Sequence, residues 1–169
     1  MRTRNSDEND PATARIGALW DRFFSHSWER HLPAAGHDGR LFGVYSAYES
    51  DAHGAFDVTV GVATDPGAGA AGDVGGEKIR ITPVLAGTYL VFTSAGPMPQ
   101  MVIDTWGAIW AYFARNPQVQ RRFGTDFEAY SGPDQVAIHI GIVGDASCCM
   151  QQSAATTEPP VHSRQLMQK

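Results

Sequence analysis

The sequence predicts an α+β fold built from two copies of a helix–strand–strand unit with antiparallel strands, and three observations carry that prediction. Two amphipathic segments share a local pattern: Gly17-Ala18-Leu19-Trp20-Asp21-Arg22-Phe23 matches Gly107-Ala108-Ile109-Trp110-Ala111-Tyr112-Phe113, at an offset of 90 (107 − 17). Each is followed by a segment holding Ala-Tyr, at Ala47-Tyr48 and Ala129-Tyr130. Each of those leads through a turn into a strongly alternating run, Phe56–Val62 and Val136–Ile142, the period-two signature of a half-buried strand. One helix over a small antiparallel sheet is marginal alone, so two copies side by side make a better core.

Taken in order, residues 1–9 are polar and read as an irregular stub. Asp10-Pro11 reads as a helix start, an N-cap acceptor before proline at the first helical position. Ile16, Leu19, Trp20 and Phe23 then follow at helical spacing, to about Phe24. Ser25 to Arg40, with Pro33, Gly36 and Gly39, reads as connector. Leu41–Glu49 is a strand, Ser50-Asp51-Ala52-His53-Gly54 has turn chemistry, and Phe56–Val62 returns as a strand. Residues 65–76 are rich in Gly, Ala and Asp and read as a flexible loop. Lys78–Val84 and Thr88–Ser94 are further strands. A second helix presents Ile103, Trp106, Trp110 and Phe113 on one face and stops at Asn116-Pro117. Thr125–Tyr130 is a strand, Ser131-Gly132-Pro133-Asp134 a turn, and the second alternating strand follows. Residues 144–169, poor in large apolar groups, read as a disordered tail. The main domain is thus expected over 10–143.

Composition is that of an ordinary globular domain, 43% hydrophobic and 18% charged, and 169 residues suffice for a core. The net charge of −5, without any basic run, argues against a nucleic-acid surface. No apolar stretch approaches the roughly 20 residues that span a bilayer, and the polar N-terminus is not a secretory signal. Cys148 and Cys149 are adjacent, which suits neither a structural disulfide nor metal-ligand spacing. A reduced, cytoplasmic protein without direct nucleic-acid or membrane contact is the expectation.

The stretches Ala14–Phe23, Gly43–Val62 (with Tyr48-Glu49-Ser50-Asp51), Ala86–Phe92, Trp106–Phe113 and Asp126-Phe127-Glu128-Ala129-Tyr130 resemble the GyrI-like family, also met as the effector-binding domain of multidrug-responsive transcription activators. In particular the chain resembles the free-standing versions carried by mobile integron cassettes, which bind cationic drug-like molecules. The resemblance implies a duplicated βαββ fold, an antiparallel sheet with two helices, and a pocket between the halves with a buried glutamate at its base. The glutamate that matches is Glu128; Tyr48, Phe92, Trp106, Trp110 and Tyr130 are the candidate aromatic lining, and Trp20 joins them if its helix flanks the seam. Family members begin with a strand before the first helix. Here only nine residues precede Asp10, so that strand is short or missing, and its loss would bare an edge able to pair two chains as a homodimer.

The chemistry of such a site is simple. A carboxylate in an apolar cleft is costly unless compensated, and an organic cation compensates it. Each aromatic face adds about 0.5–2 kcal/mol. On an ideal strand Asp126, Glu128 and Tyr130 share one face, with Phe127 and Ala129 on the other. Taken without the resemblance, Glu128 reads as a solvent-facing strand residue, since glutamate is mostly exposed.

Other constellations carry less. Gly67–Gly76 lacks the Gly-Lys-Ser/Thr ending of a phosphate loop and reads as linker. The six histidines are scattered; His26 and His31 are five apart, His139 lies within the last strand, and neither a metal site nor a cofactor is expected. There is no Gly-x-Ser-x-Gly elbow. Asp104 and Asp126 have no spacing that makes them acid–base partners of Glu128, and Arg121-Arg122 reads as a solvated pair on a loop. Three functions follow. The first is a stand-alone effector-binding or sequestering protein for amphipathic organic cations, connected to transcription regulation through a partner, since no helix-turn-helix is present. The second, an enzyme, would be a hydrolase with Glu128 as general base. The third is a module resembling inhibitors of DNA gyrase.

Overall fold

The last strand is the clearest case of sequence dictating structure. In the computed structural model, Val136, Ile138 and Ile140 are buried at 3%, 0% and 0% exposure, with Ala137 and His139 turned to the opposite face. The structure describes residues 1–32, 39–64, 73–74 and 77–144. Its elements in chain order are β1 (Arg2–Thr3), α1 (Asn5–Glu8), α2 (Ile16–Ser25), α3 (Trp28–His31), β2 (Leu41–Ser46), β3 (Phe56–Val62), β4 (Asp73–Val74), β5 (Glu77–Lys78), β6 (Tyr89–Ala95), α4 (Gln100–Arg115), β7 (Asp126–Gly132) and β8 (Gln135–Gly141).

The chain divides between Val84 and Leu85 into two units. In the first, β3 pairs antiparallel with β1 on one side and β2 on the other. In the second, β8 pairs antiparallel with β6 and β7 in the same way. Each unit therefore runs strand, helix, strand, strand, with the last strand in the middle. This is the duplicated βαββ architecture, an α+β fold. The leading strand of the first copy is present but short. Arg2 and Thr3 face Asp57 and Phe56, and the Met1 amino group donates to the Val58 carbonyl at 2.8 Å, extending the ladder by one residue. The stub expected over 1–9 is thus β1 and α1, so one end of the edge expected to be bare is covered.

The helix expected from Asp10 is α2, which starts at Ile16. Asp10 instead closes a local turn, its Oδ1 accepting from the Ala12 amide at 2.9 Å. The cap of α2 comes from Glu8, whose Oε2 accepts from the amides of Arg15 and Ile16 at 3.0 Å each while Oε1 accepts from the Thr3 hydroxyl at 2.6 Å. A carboxylate there satisfies orphan donors and complements the helix dipole. The presumed connector contains α3. The strand expected to reach Glu49 ends at Ser46, because Ala47 has φ +49°, which no extended strand accommodates. Ala47-Tyr48 therefore follows its strand, whereas Ala129-Tyr130 lies inside β7. Of the strand expected over 78–84, only Lys78 pairs, with Asp73 of the supposed loop, in a two-residue ladder that also joins Glu77 to Val74. Residues 79–84 are irregular, and Pro83 among them has no amide to donate to a ladder. The rest of the Gly-rich run and residues 145–169, including Cys148 and Cys149, lie outside the described residues.

Helix α4 ends where expected. Pro117 disfavours helical backbone at Asn116, which has φ −125° and ψ 65°, and the Asn116 side chain donates to the Tyr112 carbonyl at 2.8 Å. Its inward stripe is different from the expected one. Met101, Thr105 and Ile109 are buried at four-residue spacing, while Ile103 is 56% exposed and Trp106, Trp110 and Phe113 are half-buried. The slimmer side chains are the fully buried ones, and the large rings beside them stay partly exposed.

Candidate functional site

Strand β7 positions the central residue. Glu128 faces Ile138 across the ladder and Tyr130 faces Val136. Phe127 stacks on His139 at 4.2 Å on the opposite face. Glu128 is 1% exposed and Asp126 is 0% exposed, so neither is the solvent-facing strand residue that glutamate or aspartate ordinarily is. Both oxygens of Glu128 accept hydrogen bonds. Trp106 Nε1 donates to Oε1 at 2.7 Å, and the Tyr130 hydroxyl donates to Oε2 at 2.8 Å. Burial, and then the charge and hydrogen bond of Glu128, push the Tyr130 phenol well above the ordinary tyrosine range. Tyr130 therefore keeps its proton and donates throughout the neutral range. Trp110 lies next to Trp106, ring centroids 6.1 Å apart, one turn along α4.

Asp126 is engaged differently. Its Oδ2 accepts from Arg121 Nη2 at 2.6 Å, and its Oδ1 accepts from the Gly141 amide at 2.8 Å. Arg121, expected on a solvated loop, has a side chain only 6% exposed, with its guanidinium over the rings of Trp110, Phe113 and Phe123. Arg122 is not a free surface charge either. Its guanidinium donates to the Ala86 carbonyl at 2.7 Å and to the Tyr89 hydroxyl at 2.9 Å, and lies over the Tyr89 ring. Sequence reasoning missed both. The one available signal was proximity in the chain: Arg121 and Arg122 stand five and four residues before Asp126, on the strand that also holds Glu128.

Of the residues singled out in the sequence, the structure brings Glu128, Trp106, Trp110 and Tyr130 together. Phe92 is buried on β6 opposite Ile138, two strands from Glu128, and meets Tyr112 edge-on at 5.5 Å. Trp20 and Tyr48 belong to the first unit. Trp20 packs on Phe23 and Phe24, and Tyr48 on Phe56. Asp104 is exposed and accepts from Gln100 Nε2 at 2.8 Å. A depression of about 630 Å³ in the second unit is lined by Phe92, Ser94, Asp104, Thr105, Gln135 and Val136. Glu128 is not on its wall. Access to the carboxylate therefore requires movement of the side chains that cover it. No helix among the described residues is long and apolar enough to cross a membrane.

Comparison with known proteins agrees with this architecture. A protein of Bacillus subtilis (strain 168), named "Putative transcriptional regulator protein YobU", is 33% identical over 117 residues, covering 69% of this chain and 68% of its own length. The crystal structure of an integron cassette protein from the mobile metagenome of Vibrio cholerae superposes with a TM-score of 0.65 at 36% identity, covering 85% of this chain and 86% of that one. The model of the GyrI-like small molecule binding domain matches residues 1–139, and the chain belongs to that family.

Proposed function

We propose that this protein binds small amphipathic organic cations at Glu128, as a stand-alone effector-binding or sequestering protein of the cytoplasm. The observation that carries the reading is a carboxylate 1% exposed, held between an indole N–H and a phenol, with a second tryptophan beside them. A carboxylate buried to this degree lies in a low-dielectric setting, where an added positive charge gains most. Trp106 is the gate. Its indole leaves Oε1, the cation approaches the carboxylate, and the Trp106 and Tyr130 rings present their faces to it. Few directional bonds are involved, so selection is by charge and shape. The likeness to a protein named a transcriptional regulator fits a sensing role in which occupancy is passed to a partner.

The test is a fluorescence titration of wild type and Glu128→Gln with tetraphenylphosphonium and with neutral tetraphenylmethane-type analogues of similar size. Saturable quenching by the cation is expected in the wild type. It should be lost in Glu128→Gln, weak for the neutral analogues, and reduced in amplitude in Trp106→Phe. Equal cation binding by wild type and Glu128→Gln would remove Glu128 from the site.

A further inference from the structure

The first unit has a concavity of about 320 Å³ whose lining is rich in cations and hydroxyls, in a chain that is acidic as a whole. Phe56 and Val58 of β3 are buried, and strand alternation turns Asp57 and Thr59 to the opposite face. Arg2 of β1 and Ser46 of β2 flank Asp57 in the ladder, one on each side. The chain returns to this face at Arg80 and Thr82, where the hydroxyls of Thr59 and Thr82 meet at 3.1 Å. Arg80 is exposed and has neither a hydrogen bond nor an ion pair among the described residues, and the Ser46 hydroxyl has no partner among them either. Arg2 reaches Asp57 Oδ1 and the Ala47 carbonyl at 3.2 Å each through Nη1 alone, which leaves Nη2 and Nε for other acceptors. Of the two threonine hydroxyls, one donates to the other, so one proton remains to be donated.

We infer that this concavity is a second ligand site, for a small phosphate monoester. Two guanidinium groups against the single carboxylate of Asp57 leave an excess of positive charge in the lining. A carboxylate ligand is satisfied by one bidentate arginine. A phosphate offers three acceptor oxygens and close to two negative charges, and it takes donors from several directions. Arg2, Arg80, Ser46 and the Thr59–Thr82 pair supply them from β1, β2, β3 and the segment after β5. The concavity leaves room beyond the phosphate for its organic group. Asp57 tempers the affinity, because it competes for Arg2 and repels the anion. No residue of the Glu128 site takes part, so the inference is independent of the function proposed above.

The experiment is a proton–nitrogen NMR titration of the full chain with phenyl phosphate, at pH 8 and constant low ionic strength, on wild type, Arg80→Gln and Asp57→Asn. Arg80 is exposed and the Asp57 side chain is 44% exposed, so both variants keep the fold. In the wild type the Thr59 and Thr82 amide signals should shift and saturate, and neither phenol nor sodium chloride at matched ionic strength should reproduce the shifts. Arg80→Gln should weaken binding about tenfold, the loss expected for one hydrogen bond between charged groups. Asp57→Asn should tighten it about threefold, since a like charge beside the anion is removed. Equal dissociation constants for wild type and Arg80→Gln overturn the inference, and so do weaker binding by Asp57→Asn or the same shifts with chloride. Sedimentation with phosphatidic acid vesicles, without saturable binding of phenyl phosphate, would assign the phosphate to a lipid headgroup and overturn the small-molecule site.

Discussion

Replacing Tyr130 by Phe removes one oxygen atom and tests the physics of the site. The Tyr130 hydroxyl donates to Glu128 Oε2 at 2.8 Å, with the two residues 8% and 1% exposed. A buried hydrogen bond to a charged acceptor contributes about 1.5–3 kcal/mol, and the ring volume is retained, so Tyr130→Phe should lose about 2 kcal/mol at pH 8. Urea denaturation of the wild type, Tyr130→Phe, Glu128→Gln and the double variant measures this, and the cycle should give a coupling of about 1.5 kcal/mol or more. The pH dependence has a definite sign. The folded-state phenol lies well above its unfolded value of 10.0. Its contribution is therefore fully present below pH 10. Above pH 10 the unfolded chain releases the proton while the folded protein keeps it, and stability falls by about 1.4 kcal/mol per pH unit. The gap between wild type and Tyr130→Phe should thus narrow between pH 10 and 11. A variant within about 0.5 kcal/mol of wild type at pH 8, less than any hydrogen bond to a buried charge is worth, or a gap constant through pH 11, would refute the reasoning.

Two further predictions concern the frame. Glu8→Ala removes the cap of α2 and strands the Thr3 hydroxyl, which belongs to a residue 3% exposed, and should cost about 2–4 kcal/mol by urea denaturation, with Glu8→Gln losing less. At Gly87, φ is +145° and an added Cβ would lie 1.9 Å from Arg122 Nη1, so Gly87→Ala should displace the guanidinium that ties Ala86 to Tyr89. The expected loss is at least about 2 kcal/mol; proteolysis between Leu85 and Thr88 should accelerate, whereas Gly107→Ala, with open space at its Cβ, should leave stability unchanged or raise it.

The sequence by itself determined the repeat, the two main helices and the hairpins. These are local properties: helical spacing in Ile16–Phe23, alternation in Phe56–Val62 and Val136–Ile142, and the helix stop at Asn116-Pro117 all act over a few residues. It also placed Asp126, Glu128 and Tyr130 on one face, because strand alternation fixes facing. It did not determine which way that face points, nor which stripe of α4 is buried, since Met101, Thr105 and Ile109 are less conspicuous than the aromatic stripe beside them. Only tertiary structure decided that Arg121 is buried. A charged side chain on a connector is solvated by default, and its burial depends on Asp126 and the rings of Trp110, Phe113 and Phe123 converging from three separate segments. The cap of α2 by Glu8 is of the same kind. Asp10-Pro11 is the better local start signal, but the Glu8 carboxylate, bound also to Thr3 of the leading strand, reaches the Arg15 and Ile16 amides across a turn of irregular chain. Local pattern sets elements and faces; the partners of buried charges are set by which segments meet.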